Sequence, residues 1–195
     1  MSERILNVHI QEYNGKKFRS TLEAKTAEVL DALGIPYAYE NRKIELQSGF
    51  RSPFQKDKIR SITYTPDFII GSILLECKGF ETPEWKIKKK LLFKWLMENE
   101  PCTAFYQIHD AKKELLQVLS TELSHMNMLL EVTSKPTKKQ ESVTKHYNSI
   151  EEAFEELGLK GKPVGAILKS LTAKEDKWVY GYKWKLIKTT NYDDN

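Results

Sequence analysis

Three charged residues, Asp67, Glu76 and Lys78, interrupt an otherwise apolar run between Tyr64 and Phe80. Charged side chains are rarely buried unless they pair with one another or bind a metal. Their spacing says how they would meet. Gly71-Ser72 is a two-residue turn signal, with Gly at the first position as a type II′ hairpin requires. With those two residues as the whole turn, Ile70 faces Ile73, Phe68 faces Leu75 and Asp67 faces Glu76. Opposed residues carry Cβ atoms roughly 5 Å apart, so two carboxylates placed there repel each other and need a cation. Glu76 and Lys78 are two apart and share a strand face. A one-residue slip of register would separate the acids.

Two acids and a lysine on one hairpin face suit phosphodiester hydrolysis, which needs a metal-activated water and a charge to stabilise the transition state. Mg²⁺ takes oxygen ligands, often one or two carboxylates beside water and phosphate. Asp67 and Glu76 fit as ligands, and the backbone carbonyl of Cys77 offers a third oxygen. Lys78 suits orienting the attacking water or neutralising developing charge. Mg²⁺ is the expected cofactor, with Mn²⁺ as a substitute. A surface hairpin with scattered charges is the plain alternative.

The elements that must position these residues follow from pattern. Ser20 to Leu33 reads as a helix, capped by Ser20 and ended by Gly34. Tyr37 to Leu46 reads as a strand, followed by a polar turn region over 47–60 and then the hairpin. Thr82-Pro83-Glu84 starts a helix that runs to about Glu98. Thr103 to His109 reads as a strand, Asp110 to about Asn127 as a helix, and Leu129 to Val132 as a last short strand. This order describes an α/β or α+β layer sandwich. Residues 133–146 are polar and read as a linker. Ser149 with Glu152 forms a capping box before Ile150, Ala153 and Phe154. A second short helix spans about Pro163 to Leu171, and an aromatic, β-like tail runs from Trp178. The expected organisation is a catalytic domain over 1–132, a linker over 133–146 and a small helix-turn-helix-like unit over 147–195.

The chain has 195 residues and a net charge of +4, enough for one sizeable core and a small second unit, and mildly basic. Cys77 and Cys102 make no metal or redox motif and read as reduced thiols of a cytoplasmic protein. No apolar run approaches the roughly 18 residues of a membrane span. Gly-rich phosphate loops, zinc spacings and a nucleophile-elbow pattern are absent from the sequence.

Thr65-Pro66-Asp67 followed by Glu76-Cys77-Lys78 resembles the PD-(D/E)XK nuclease motif. Phe18-Arg-Ser-Thr-Leu-Glu23, Gly34-Ile35, Tyr39-Glu40, Tyr64-Thr-Pro-Asp-Phe68 and Glu76-Cys-Lys-Gly79 resemble the phage endonuclease I family, in the same order and over roughly residues 13–110. That family resolves Holliday junctions. The resemblance implies a restriction-endonuclease-like core, a mixed sheet flanked by helices, in a phage-encoded protein acting in a bacterial host. It also implies roles at four positions: Glu23, Asp67 and Glu76 as metal-binding acids and Lys78 as the catalytic lysine. Glu23 has a second reading as a capping-box glutamate, three residues after Ser20. Asn148-Ser-Ile-Glu-Glu-Ala-Phe154, Ile167 and Gly181-Tyr-Lys-Trp-Lys185 resemble the small DNA-binding repeats appended to homing endonucleases.

Cations are placed to follow DNA. Arg19 precedes the first helix. Arg51, Lys56, Lys58 and Arg60 fill the long 47–61 segment. Lys86, Lys90 and Lys94 repeat every four residues on one helix face, and Lys162, Lys169, Lys183 and Lys185 mark the C-terminal unit. The expected function is a Mg²⁺-dependent DNA endonuclease acting at branched or junction DNA, with DNA as partner, no membrane, and a homodimer as one arrangement open to it. A sequence-specific homing-type endonuclease and a non-catalytic DNA-binding protein are the alternatives.

Overall fold

The structure, a computed structural model, describes residues 10–138, 140–159, 161–173 and 177–189. It is a mixed α/β chain. Among the described residues it holds five α-helices, three sheets of two or three strands and one mixed four-stranded sheet. The chain divides into two compact units, Tyr37–His109 and the combination of Met1–Pro36 with Asp110–Asn195.

The N-terminal segment opens with a hairpin of β1 (Gln11–Tyr13) and β2 (Lys16–Phe18). Asn14 and Gly15 take φ of 50° and 73° at its turn, the left-handed pair that an Asn-Gly dipeptide favours. Helix α1 (Thr21–Ala32) follows its expected bounds: Ser20 caps it, and Gly34 ends it at φ 66°. It buries Glu23, Thr26, Ala27 and Leu30.

The Tyr37–His109 unit contains β3 (Ala38–Tyr39), β4 (Ile44–Gln47), β5 (Ile62–Tyr64), β6 (Phe68–Ile70), β7 (Ile73–Cys77), α2 (Pro83–Asn99) and β8 (Ala104–Ile108). The expected single strand over 37–46 is broken. Glu40 turns left-handed at φ 43° and donates its N–H to the Asp67 carbonyl at 3.0 Å. The break sends the two halves into different sheets. β3 pairs with β6, where Tyr37 and Tyr39 both pack on Phe68 at 5.4 Å between ring centroids. β4 pairs instead with β5.

The four-stranded sheet runs β3-β6-β7-β8, with β8 parallel to β7. A parallel neighbour needs a crossover, and α2 provides it. Thr82 caps α2, with Pro83 at its start. The helix packs Trp85, Leu92 and Leu96 against Ile44, Tyr64 and Leu74. Each such side chain, fully buried, contributes roughly 1.5–3 kcal/mol relative to exposure. All five residues of β7 are buried, Glu76 among them.

The second part of the other unit contains α3 (Lys113–Thr121), a 3-10 turn at Ser124–Met126, β9 (Met128–Ser134), β10 (Thr144–Tyr147), α4 (Ile150–Glu156), α5 (Val164–Leu171) and β11 (Tyr182–Lys188). β9 is the centre of a β10-β9-β11 antiparallel sheet. This grouping differs from the expected domains 1–132 and 147–195 with a linker at 133–146. The polar segment returns as β10 to pair with β9, with Ser134 and Val143 bonded across it. The C-terminal strand completes the same sheet from the other side. Sheet pairing, which the polar composition conceals, joins these residues into one unit. The small C-terminal element is accordingly two helices built on a shared sheet. Its capping box forms as expected: Ser149 Oγ accepts from Glu152 N at 3.0 Å, and Glu152 Oε2 accepts from Asn148 N at 2.7 Å.

Candidate active site

The candidate site lies wholly in the Tyr37–His109 unit, at the end of the central hairpin. Gly71 takes φ 57°, and Ile70 pairs with Ile73, Ile69 with Leu74 and Phe68 with Leu75. This is the two-residue register that sequence predicts. The pairing ends there, with Asp67 the next residue before Phe68 and Glu76 the next after Leu75. Asp67 has already left the strand, and its Oδ2 accepts the Cys77 N–H at 2.7 Å. The bond ties the Asp67 carboxylate to the backbone between Glu76 and Lys78. Cys77, whose carbonyl is a candidate ligand from sequence, is buried at the end of β7 beside Ile108.

Glu76 is buried to 6% exposure. A buried carboxylate needs partners on its oxygens. Tyr64 Oη donates to Glu76 Oε2 at 2.9 Å, and Lys78 Nζ forms an ion pair with Oε1 at 3.5 Å. Burial and the adjacent Glu76 charge push the Tyr64 hydroxyl far above its usual range, so it remains a donor. Lys78 Nζ also stands 5.0 Å from the Trp85 ring centroid, and Trp85 lies 5.7 Å from Tyr64. The first turn of α2 thus carries an aromatic platform beneath the lysine.

A polar chain continues from this platform. Trp85 Nε1 donates to Gln107 Oε1 at 2.9 Å, and Lys89 Nζ reaches the same oxygen at 3.3 Å. Lys89 also pairs with Glu81, whose carboxyl is held below its usual range chiefly by that hydrogen bond, with a smaller share from Gln107. Gln107 is the β8 register partner of Glu76. Tyr64, Trp85, Lys89 and Gln107 escape sequence reasoning as site residues. Only the position of Trp85, at the third residue of a capped helix just after Lys78, hints at its place.

Glu23 stands in the other unit and forms the cap. Its Oε1 accepts from Ser20 Oγ at 2.8 Å, its Oε2 from Arg19 N at 2.9 Å, and its own N–H bonds Ser20 Oγ at 3.2 Å. Among the described residues, no group of three or more His, Cys, Asp or Glu gathers so as to hold a metal ion. Asp67 and Glu76 both stand at the end of the central hairpin, Asp67 on the Cys77 N–H and Glu76 on the Tyr64 hydroxyl.

No family model, curated protein or solved structure matches the chain. Two carboxylates suffice for a Mg²⁺ that keeps several waters, and both are hard oxygen donors, so the pair fits that ion. Lys78, paired with Glu76, is a fixed positive charge of the kind that can stabilise developing negative charge.

The cations expected along DNA are mostly exposed. Arg51, Lys56, Lys58 and Arg60 project from the β4–β5 connection, and Lys86, Lys90 and Lys94 line one face of α2. Lys94 also reaches Glu98 at 3.7 Å. These seven share a unit with the acid pair. Arg19, Lys162, Lys169, Lys183 and Lys185 belong to the other. There Lys162 lies over Tyr180 at 5.9 Å and Lys183 over Trp178 at 5.2 Å. Lys183 and Lys185 flank Trp184 along β11, so their side chains share the face opposite the buried Trp184. Lys169 is on the exposed side of α5, whose Ile167, Leu168 and Ser170 are buried. No helix among the described residues is long and apolar enough to cross a membrane.

Proposed function

We propose that this protein is a Mg²⁺-dependent DNA endonuclease with a PD-(D/E)XK-type site on a restriction-endonuclease-like core, acting by preference on branched DNA. The observation that carries the reading is the joining of three groups at one end of β7. Asp67 is tied to the Cys77 backbone, Glu76 is held by Tyr64, and Lys78 pairs with Glu76. A bound Mg²⁺ would supply Lewis-acid polarisation of the phosphate and a water of lowered pKa. Asp67 and Glu76 would hold the ion. Lys78, anchored over Trp85, presents its ammonium to the negative charge that grows on the phosphoryl oxygens. The exposed cations of the 47–61 segment and of α2 would contact the DNA backbone.

A homing-type, sequence-specific enzyme is the second reading. It is favoured by the capped α4, the exposed Lys169 of α5 and the Lys-aromatic pairs at Tyr180 and Trp178. Cleavage of four-way junctions against linear duplex, in Mg²⁺ and in EDTA, separates the two. Asp67→Asn is the control variant. Its amide oxygen can still accept the Cys77 N–H, so the fold should persist while cleavage is lost. Wild-type cleavage by Asp67→Asn would remove the metal assignment. DNA binding with no cleavage under any metal condition would leave a non-catalytic DNA-binding protein.

A further inference from the structure

The connection between β4 and β5 is a built arm. Beyond an irregularity at Glu45/Gln47, antiparallel pairing resumes at Phe50 and Ile59. Phe50 N donates to Ile59 O at 3.0 Å, and Ile59 N to Phe50 O at 2.8 Å. Gly49 makes this approach possible. A Cβ there would lie 2.8 Å from Ile59 O and 3.0 Å from Ser61 N, both backbone atoms. The tip is tied by its own hydrogen bonds: Ser52 Oγ accepts from Phe54 N at 3.1 Å, and Gln55 Nε2 donates to Asp57 O at 3.1 Å. Pro53 stiffens it further.

This ordered tip displays Phe54 at 95% exposure. Nothing in the packing of the described residues uses the ring. Around it stand Arg51, Lys56, Lys58 and Arg60, all exposed, against the single acid Asp57. The arm is rooted at Tyr64, the residue that holds Glu76. A bare aromatic ring set among cations, on a hairpin joined to a phosphodiester site, matches a polyanion with accessible π-faces. Proteins insert apolar side chains between base steps and stack exposed bases on aromatic rings, while neighbouring cations hold the phosphates.

We propose that the 47–61 hairpin is a DNA-engaging arm whose Phe54 stacks on, or inserts between, unstacked bases next to a branch point. The proposal rests on the nuclease reading and names how that site would choose its substrate. At a branch or junction the stacking is already interrupted, so insertion costs less than in continuous duplex. The preference for branched DNA would then come from the arm tip, and the cations would contribute affinity without regard to structure.

The test uses the full chain carrying Asp67→Asn, a four-way junction with 2-aminopurine beside the branch point, and a linear duplex with the same probe. The expected result is a rise in probe fluorescence when the junction binds. Adding Phe54→Ala should remove that rise and weaken junction binding about tenfold, while duplex binding changes less than twofold. Phe54→Trp should restore the rise. Lys56→Ala with Lys58→Ala should weaken junction and duplex alike. Because Phe54 is almost fully exposed, its replacement cannot be confused with misfolding. If the junction is bound and the wild-type site cuts it, yet Phe54→Ala leaves signal and affinity unchanged, the arm proposal fails and the nuclease reading stands. Equal losses on junction and duplex with Phe54→Ala also overturn it. Failure to bind any DNA overturns both.

Discussion

Replacing Tyr64 by Phe deletes one buried oxygen and keeps the ring. The ring remains packed on Trp85 and within the cluster of Ile44, Leu74, Leu92 and Leu96, so no sizeable cavity opens. What is lost is the 2.9 Å hydrogen bond to a carboxylate that is itself 6% exposed. Hydrogen bonds to charged groups contribute about 1.5–3 kcal/mol, and a buried acceptor stripped of its donor keeps its desolvation cost. The variant should therefore be destabilised by about 2 kcal/mol, which for a chain of this size corresponds to a fall in Tm on the order of 5 °C. Urea denaturation of the metal-free protein measures it. A double-mutant cycle with Glu76→Gln isolates the pair, and a coupling of at least about 1 kcal/mol is expected. Mg²⁺ affinity should fall as well, because Glu76 is no longer held in place. A cost below about 0.5 kcal/mol with no coupling would refute the claim that Tyr64 positions Glu76.

Lys78→Ala should leave metal binding in place but slow single-turnover cleavage at least about tenfold, or 1.4 kcal/mol of transition-state stabilisation; full activity from pH 6 to 9 would contradict its role. A chain ended after Val132 should fail to fold its β9 region. It loses both neighbours of that strand together with the buried Tyr147, Ile150, Phe154, Ile167 and Trp184, and amide exchange should show β9 unprotected. Acid should weaken the Tyr37–His109 unit through Glu100. Arg42 Nη1 donates to Glu100 Oε2 at 3.1 Å, and that bond with the Arg42 charge holds the carboxyl below its ordinary 4.5. A lowered folded value means stability present above about pH 4.5 and lost as pH falls through the folded value. Glu100→Gln should flatten that part of a melting-temperature profile between pH 3 and 6.

Local signals in the sequence proved sufficient wherever one short stretch carries the whole physical cause. Gly71-Ser72 fixes the hairpin register, because Gly takes φ 57° at the first turn position without steric cost and the two-residue loop leaves no slack. Ser20, Thr82 and Ser149 each place a helix start through a side-chain bond to a backbone N–H three residues on. Asn14-Gly15 specifies its hairpin in the same way, although the polar flanks of residues 1–17 obscure it. The turn alone sets the pairing that ends at Phe68 and Leu75, the residues next to Asp67 and Glu76, and the alternation of a strand puts Glu76 and Lys78 on one face.

Tertiary structure decided what depends on contacts distant in sequence. The 37–46 strand splits at Glu40 because its halves find different partners, β6 and β5, and no local propensity records that choice. The polar 133–146 segment contains a strand because β9 offers it an edge. Tyr64, Trp85 and Gln107 become neighbours of the acids only when β5, α2 and β8 converge on β7. Glu23 belongs to the local level, since its capping contacts are to Ser20 and Arg19, three and four residues back. Turn and cap chemistry acts over two to four residues and is written in the order of the chain. Sheet partners and buried polar contacts are selected by the free energy of the whole packed core, which no single segment contains.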